Sequence, residues 1–299
     1  MPFRKGFGSQ KTSQYWNRLP KLSIWPSNKP NEVAHHNKAL MKDTCVMTAI
    51  IYTFFYFANN SSTKRDYLSQ TDQDKVFSNW MVCGSVLNAI AMVVTFMSDM
   101  FLLPYAAPGE PKWQTISIIG HCGFFTLQTL FLQTSYSLVK AYAIYTRNIQ
   151  LVVVCYAVSL WVNTQGTALT ILFFKLNWYE PKWQRDIQKP QEAIYPGISF
   201  LWLLGHVPSL PIAIVDAVFI CNGRVVGLLG AEYLTVVKVA FLYGFFYFLF
   251  TKLVQWYYGT LIYPFIKDIS TPLLSLAFVV IVGTAVSGMG YVINLLMLM

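Results

Sequence analysis

Charged residues are scarce in this chain. They make up 12% of its 299 residues, against about 25% in an ordinary soluble domain, so no large soluble domain fits between its apolar runs. Acids are rarer still at the start, where none precedes Glu32. The cysteines lack pattern: Cys45, Cys83, Cys122, Cys155 and Cys221 all fall in apolar segments, and no two form a C-x-x-C pair. That argues against a structural zinc site and a disulfide framework, and leaves small buried hydrophobes. No secretory signal peptide is visible, because the first apolar run begins only near Cys45. Internal repeats, low-complexity tracts and recognisable nucleic-acid modules are also missing. We therefore expect no metal, no cofactor and no nucleic-acid partner.

What the chain has is apolar surface, with 55% hydrophobic and 16% aromatic residues. Runs of roughly 20 apolar residues recur along most of its length, which is the membrane-helix signal. Six such spans are expected: Trp80–Leu103, Ile116–Leu138, Leu151–Phe174, Ile194–Ile220, Leu234–Trp256 and Pro272–Met299. An earlier run, Cys45–Ala58, is too short to span comfortably. The expected fold is thus an all-α membrane protein, a bundle of six transmembrane helices plus one short N-terminal apolar segment, with six or seven crossings. Its parts are a basic N-terminal extension (1–43), the short apolar segment with its polar loop (44–78), and the membrane domain (79–299). The loop between the third and fourth spans carries Trp178, Tyr179 and Trp183, the composition of an interfacial belt. Asn163, Gln165 and Gly166 in WVNTQGT, and the small residues of GTAVSGMGY, read as helix-packing positions.

The net charge of +9 is concentrated at the start, where Arg4, Lys5, Lys11, Arg18, Lys21 and Lys29 occur among prolines. Such a segment stays on the cytoplasmic or matrix side of a membrane. It also has the basic, serine-containing, acid-poor character of a mitochondrial targeting stretch. Alone it cannot bury enough surface to offset its ordering entropy, so we expect neighbouring chains to hold it.

Inside the spans, ionisable residues are costly and usually face the bundle interior or a water-filled cavity. The candidates are Asp99, His121, His206, Asp216 and Lys238, of which Asp99 and Lys238 lie near segment ends. His121 and His206 lie deeper. Two histidines on different helices can clamp a b-type haem, but nothing else in the sequence supports one. His206 has Pro208 and Pro211 beside it, and backbone freed by proline survives in membranes mainly where it lines a polar site. Asp216 follows about 15 Å along a straight helix, out of direct reach of His206, which leaves it a structural role or a place at a cavity mouth. A histidine base needs a nucleophile from another span. GFFTLQTLFLQTSYSL offers Thr126 and Thr129, with Gln133 beside them; a hydroxyl against a neutral imidazole is the unit of nucleophilic acyl transfer.

Three stretches resemble one family. FFTLQTLFLQ resembles the early threonine-bearing helix of the androgen-induced gene product and the androgen-dependent TFPI-regulating protein. GHVPSLPIAIVD looks like the family's later helix, with a histidine, a Leu-Pro four residues on, and then an acid. IYPFIKDI, with Gly259 before it, resembles its Tyr-Pro-Phe element. The resemblance runs from about Trp80 to Met299. It implies a six-span bundle that hydrolyses fatty-acid esters of hydroxy fatty acids, with Thr126 as nucleophile, His206 as base and Asp216 at the acid's position. Thr129, Gln133 and His121 would be supporting or cavity residues. The sequence differs from the family in carrying Thr129 where an acid or amide is usual, and QWYYGT where histidines are usual.

Two functions are therefore expected. The first is an accessory subunit of a large mitochondrial inner-membrane assembly, of the respiratory-chain or ATP-synthase kind, whose partner subunits contact residues 1–43. The alternative is a membrane-embedded threonine hydrolase of lipid esters, in which case the endoplasmic reticulum or plasma membrane would also suit. In both, the lipid bilayer surrounds the bundle.

Overall fold

A computed structural model describes residues 45–56, 68–98, 124–189, 192, 197–258 and 271–299. Among the described residues all regular structure is helical, with no strand. The elements are α1 (Cys45–Tyr56), α2 (Gln70–Val76), α3 (Asn79–Met97), α4 (Phe125–Tyr145), α5 (Ile149–Phe173), α6 (Ile198–His206), α7 (Ser209–Val215), α8 (Gly223–Leu229), α9 (Tyr233–Tyr258) and α10 (Pro272–Leu298). Side-chain caps start many of them. Ser69, Ser78, Asn148, Asn222 and Thr271 each accept the N–H three residues on, satisfying a donor that the first turn leaves without a carbonyl.

Among the described residues, five helices are long and apolar enough to cross a membrane: Asn79–Met97, Ile149–Trp178, Ser199–Ile220, Tyr233–Trp256 and Leu273–Leu298. The chain thus has the build of an integral, multi-pass membrane protein. The expected count of six or seven is not confirmed. The α1 helix is short, and residues 116–123 of the expected second span lie outside the described residues. The helix that follows them, α4, is 21 residues long but too polar to qualify.

The polarity of α4 follows a rule. Thr126, Thr129, Gln133, Tyr136 and Lys140 recur at alternating intervals of three and four, which places them on one helix face. All but Thr126 in that series are buried, because α4 packs between α3 and α5. The helix therefore turns its polar stripe inward. The α5 helix is buried along most of its length and forms the axis of the bundle. A large apolar cluster gathers at one end around Tyr136, Val152, Tyr156, Ala217, Val225 and Leu229. A smaller one, with Met92, Leu130, Phe131, Leu169 and Ile212, lies toward the other. On the outside, α9 and α10 expose Leu242, Phe246, Leu253, Leu276 and Ile281, a surface suited to lipid tails.

Gly283 fits the expected close approach in the last span. A Cβ there would stand 2.3 Å from the Phe241 ring, so only glycine lets that ring lie on the α10 backbone. The loop between α5 and α6 is more ordered than its charge suggests. It begins as a wide helical turn over Phe174–Trp178 and continues in helical geometry through 181–189. Glu192 closes its far end, accepting from the N–H groups of Gly197 (2.6 Å) and Ser199 (2.9 Å). Partial burial opposes the charge on Glu192, but these bonds outweigh it and hold its pKa below the usual carboxylate value.

Candidate functional site

The two prolines after His206 rearrange the backbone that follows it. Pro211 has no N–H for the Val207 carbonyl, which takes Leu210 N instead at 3.2 Å. That tighter turn deprives the His206 carbonyl of its helical donor. Thr170 on α5 supplies the replacement: its hydroxyl donates to His206 O at 2.6 Å and reaches Val207 O at 3.4 Å. The span thus breaks between α6 and α7 with its carbonyls satisfied from a neighbouring helix. His206 stands at the break.

The imidazole is held on three sides. Its Nδ1 lies 2.8 Å from the Trp202 carbonyl, which can only accept, so Nδ1 carries the proton of the neutral ring and Nε2 presents a lone pair. Phe173 stacks on the ring at 4.2 Å between centroids. Trp202 is itself packed by Trp183, at 4.9 Å between centroids, which ties the α5–α6 loop to the site. Nε2 then faces the Thr126 hydroxyl at 3.4 Å across 80 positions of sequence. Thr126 is in the first turn of α4, where the backbone N–H groups have no carbonyl four residues back within the helix, and no side chain caps that end.

Both residues line a cavity of about 150 Å³. Its polar part also includes Gln165 and Asn177. Most of the rest is aromatic and aliphatic surface, Leu169 and Leu172 from α5 and Phe241, Phe248 and Val282 from α9 and α10 among it. A hydroxyl and an unprotonated imidazole nitrogen therefore meet in the lining of a mostly apolar chamber. The arrangement can move a proton from oxygen to nitrogen beside a bound apolar molecule.

The other sequence-derived candidates lie elsewhere. Asp216 is 2% exposed and far from His206, at the start of a wide helical turn over Asp216–Ile220. It lines neither this cavity nor the one beside Thr129. It forms a buried ion pair with Lys140 Nζ at 2.8 Å and accepts from Tyr136 Oη at 2.8 Å and Asn163 Nδ2 at 2.9 Å. Lys140 also donates to Cys221 Sγ at 3.3 Å. This network joins α4, α5 and the end of the α7 span, about 21 Å along α4 from Thr126. Gln133 donates to Ser209 O at 3.4 Å, and Thr129 faces a second cavity; neither touches the Thr126–His206 pair. Lys238 is exposed. His121, Asp99, Gly259 and the Tyr-Pro-Phe element lie outside the described residues. Among the described residues no group of histidine, cysteine or acidic side chains could hold a metal.

Lys140 was missed because the second span was expected to end at Leu138, and Tyr136, inside that span, carries no charge to mark it. The signal that finds them is the stripe from Thr126 onward, whose spacing reaches Lys140 without a break. Comparison with protein-family models, curated proteins and solved structures gives no match. The resemblance to the androgen-induced family therefore rests on the quoted motifs.

Proposed function

We propose that this chain is a membrane-embedded hydrolase of lipid esters, with Thr126 as nucleophile and His206 as general base. The observation that carries the reading is the 3.4 Å approach of Thr126 Oγ1 to His206 Nε2 in the lining of a mostly apolar cavity. Nε2 takes the hydroxyl proton as Oγ1 attacks the ester carbonyl. The carbonyl oxygen becomes an oxyanion beside the N–H groups of Thr126 and Leu127 in the first turn of α4, where the helix N-terminus favours negative charge. The imidazolium then protonates the departing alkoxide, which leaves as an alcohol, and the acyl group stays on Thr126. Water enters, gives a proton to Nε2 and attacks the acyl-threonine, and the imidazolium returns that proton to Thr126 Oγ1 as the fatty acid leaves. The hydrogen bond to Trp202 O keeps the ring in the required tautomer, and Phe173 keeps its plane.

The test is turnover of fluorogenic fatty-acid esters by the full-length protein in nanodiscs. Thr126→Ala and His206→Ala should each lower kcat by about a thousandfold or more, with folding checked by thermal unfolding. Unchanged turnover in Thr126→Ala would end the proposal. A second reading, an accessory subunit of a large mitochondrial inner-membrane assembly, is supported by the basic, acid-free first 31 residues. Native electrophoresis after mild detergent extraction separates the two. Migration with a megadalton complex supports the subunit, and migration near 34.1 kDa plus detergent removes it.

A further inference from the structure

The chamber that holds Thr126 and His206 carries more polarity than that pair uses. Within its lining, Tyr243 donates to Gln128 Oε1, Thr251 donates to the Phe248 carbonyl, and Tyr247 stacks on the Tyr243 ring. Two side-chain amides of the lining, those of Gln165 and Asn177, make no hydrogen bond among the described residues. Gln165 is the more deeply buried. It is 4% exposed, yet its amide is not one of the polar groups sealed off without a partner, which belong to Ser85, Thr129, Gln133, Ser135, Trp161 and Ser209. Both atoms of the amide are therefore open to the space that Gln165 lines. That space is the Thr126 chamber and a second one of about 550 Å³, bordered by α1, α4, α5 and α9.

The place of Gln165 along α5 decides what would reach it. It lies near the middle of the Ile149–Trp178 span, at a depth where lipid tails offer an amide no partner. It comes eight residues before Phe173, the residue stacked on the His206 ring, and eight residues are about 12 Å of helix. Asn177 lies on the other side of Phe173, next to Trp178 and Tyr179, the residue types of a membrane interface. An ester held at Thr126 thus has its head toward Asn177 and its acyl chain toward Gln165. At about 1.2 Å per bond of an extended chain, the chain meets Gln165 about ten bonds from the ester carbonyl.

An amide presents a donor and an acceptor side by side. A hydroxyl answers both at once, a chain carbonyl answers only the N–H, and a methylene answers neither. The lining holds no lysine, arginine or acid, so a carboxylate beside Gln165 would lack a counter-charge.

We propose that Gln165 is a specificity-determining residue that hydrogen-bonds a free hydroxyl on the acyl chain, about ten bonds from the ester carbonyl. The site then prefers acyl chains that are hydroxylated there over plain ones. The proposal rests on the hydrolase reading for the place of the ester.

The test uses full-length protein in nanodiscs and two photo-crosslinking probes that cannot be hydrolysed. Both are long-chain methyl ethers with a terminal diazirine; one carries a hydroxyl about ten bonds from the ether oxygen, and the other has none. Adducts are mapped by peptide mass spectrometry. The hydroxylated probe should label residues 240–251 and 278–286 about fivefold more strongly than the plain one. Gln165→Met keeps the length of the side chain and removes the amide. It should erase the difference between the probes and leave labelling by the plain one unchanged. Because the amide bonds nothing else, this variant should also unfold at a Tm no lower than that of the wild type. A lower Tm would show that the amide holds the bundle together, and would overturn the proposal. Equal labelling by the two probes in the wild type would leave the amide to water and overturn it as well. So would a hydroxyl preference confined to residues 46–54 and 154–158 of the second chamber. Ester turnover is measured separately. A hydroxyl preference in a wild type that hydrolyses no ester upholds the recognition and removes only the reaction, and turnover without the preference does the reverse.

Discussion

At the scale of single residues, the molecule separates two kinds of buried polarity. Thr126 and His206 meet hydroxyl to imidazole in the lining of a mostly apolar chamber. Lys140 and Asp216 meet as an ion pair knit into its surroundings: Tyr136 and Cys221 each bond to both members, and Asn163 to Asp216. Breaking a buried pair from one side strands the other charge, at about 3–5 kcal/mol. We therefore expect Lys140→Met to destabilise the protein by about that much, and adding Asp216→Asn to recover part of it. Denaturant unfolding in mixed micelles measures both; additive losses would show that the two residues act independently. Spacing alone could not join Thr126 to His206, because no sequence period links residues 80 apart. The resemblance suggested them as a pair, and the fold brings them within 3.4 Å. Asp216 shows the reverse case: its motif position was legible, but its partner was not, since Lys140 fell beyond the expected end of its span.

At the scale of elements, apolar runs revealed the five helices that can cross, and the 3–4 spacing of polar residues on α4 explains why the remaining long helix is different. Hydropathy measures a helix against lipid. It has no way to recognise one whose surroundings are other helices. The α4 helix meets α5 through Gln133 lying on Gly166, where an added Cβ would fall 1.8 Å from Gln133 Nε2. Gly166→Ala must push the amide off its place and with it the bond to Ser209 O. Overpacking of this kind costs about 1–3 kcal/mol, and thermal unfolding of that variant in detergent should show it. A Tm equal to that of the wild type would mean that the Gln133 side chain relocates freely. The proline break between α6 and α7 was legible from sequence; the hydroxyl that repairs it was not, because Thr170 lies on another helix and looks like any membrane threonine.

For the whole molecule, one clasp ties two short helices at the Lys140 end. Asp72 on α2 is bonded by the Ser69 hydroxyl at 2.6 Å and paired with Arg224 Nε on α8 at 3.1 Å. The Ser69 bond, aided by Arg224, holds the Asp72 carboxyl below its usual pKa. A depressed carboxylate contributes stability that is complete above the unfolded-state value of about 4 and is lost as pH falls through the lower folded-state value. Thermal stability of the wild type should therefore drop more steeply from pH 5 to pH 3 than that of Asp72→Asn. Parallel curves would assign the acid sensitivity to other groups.

The inward polar stripe of α4 also bears on how the protein is made. Leucine-rich segments partition into the bilayer as they emerge from the ribosome, whereas a lysine opposes insertion, by about 2.5–3.5 kcal/mol at a helix centre and less toward an end; Lys140, in the last third of α4, adds its cost to that of the Thr126–Gln133 stripe. Alone, α4 would be passed over by the insertion machinery and left at the membrane surface. It must enter late, after α5 and the span bearing Asp216 are in place to receive Lys140, or together with them as a preassembled unit. Biogenesis of this bundle is thus ordered by a charge. A ribosome stalled before Asp216 has been made should carry α4 outside the membrane, and one released after it should carry α4 within.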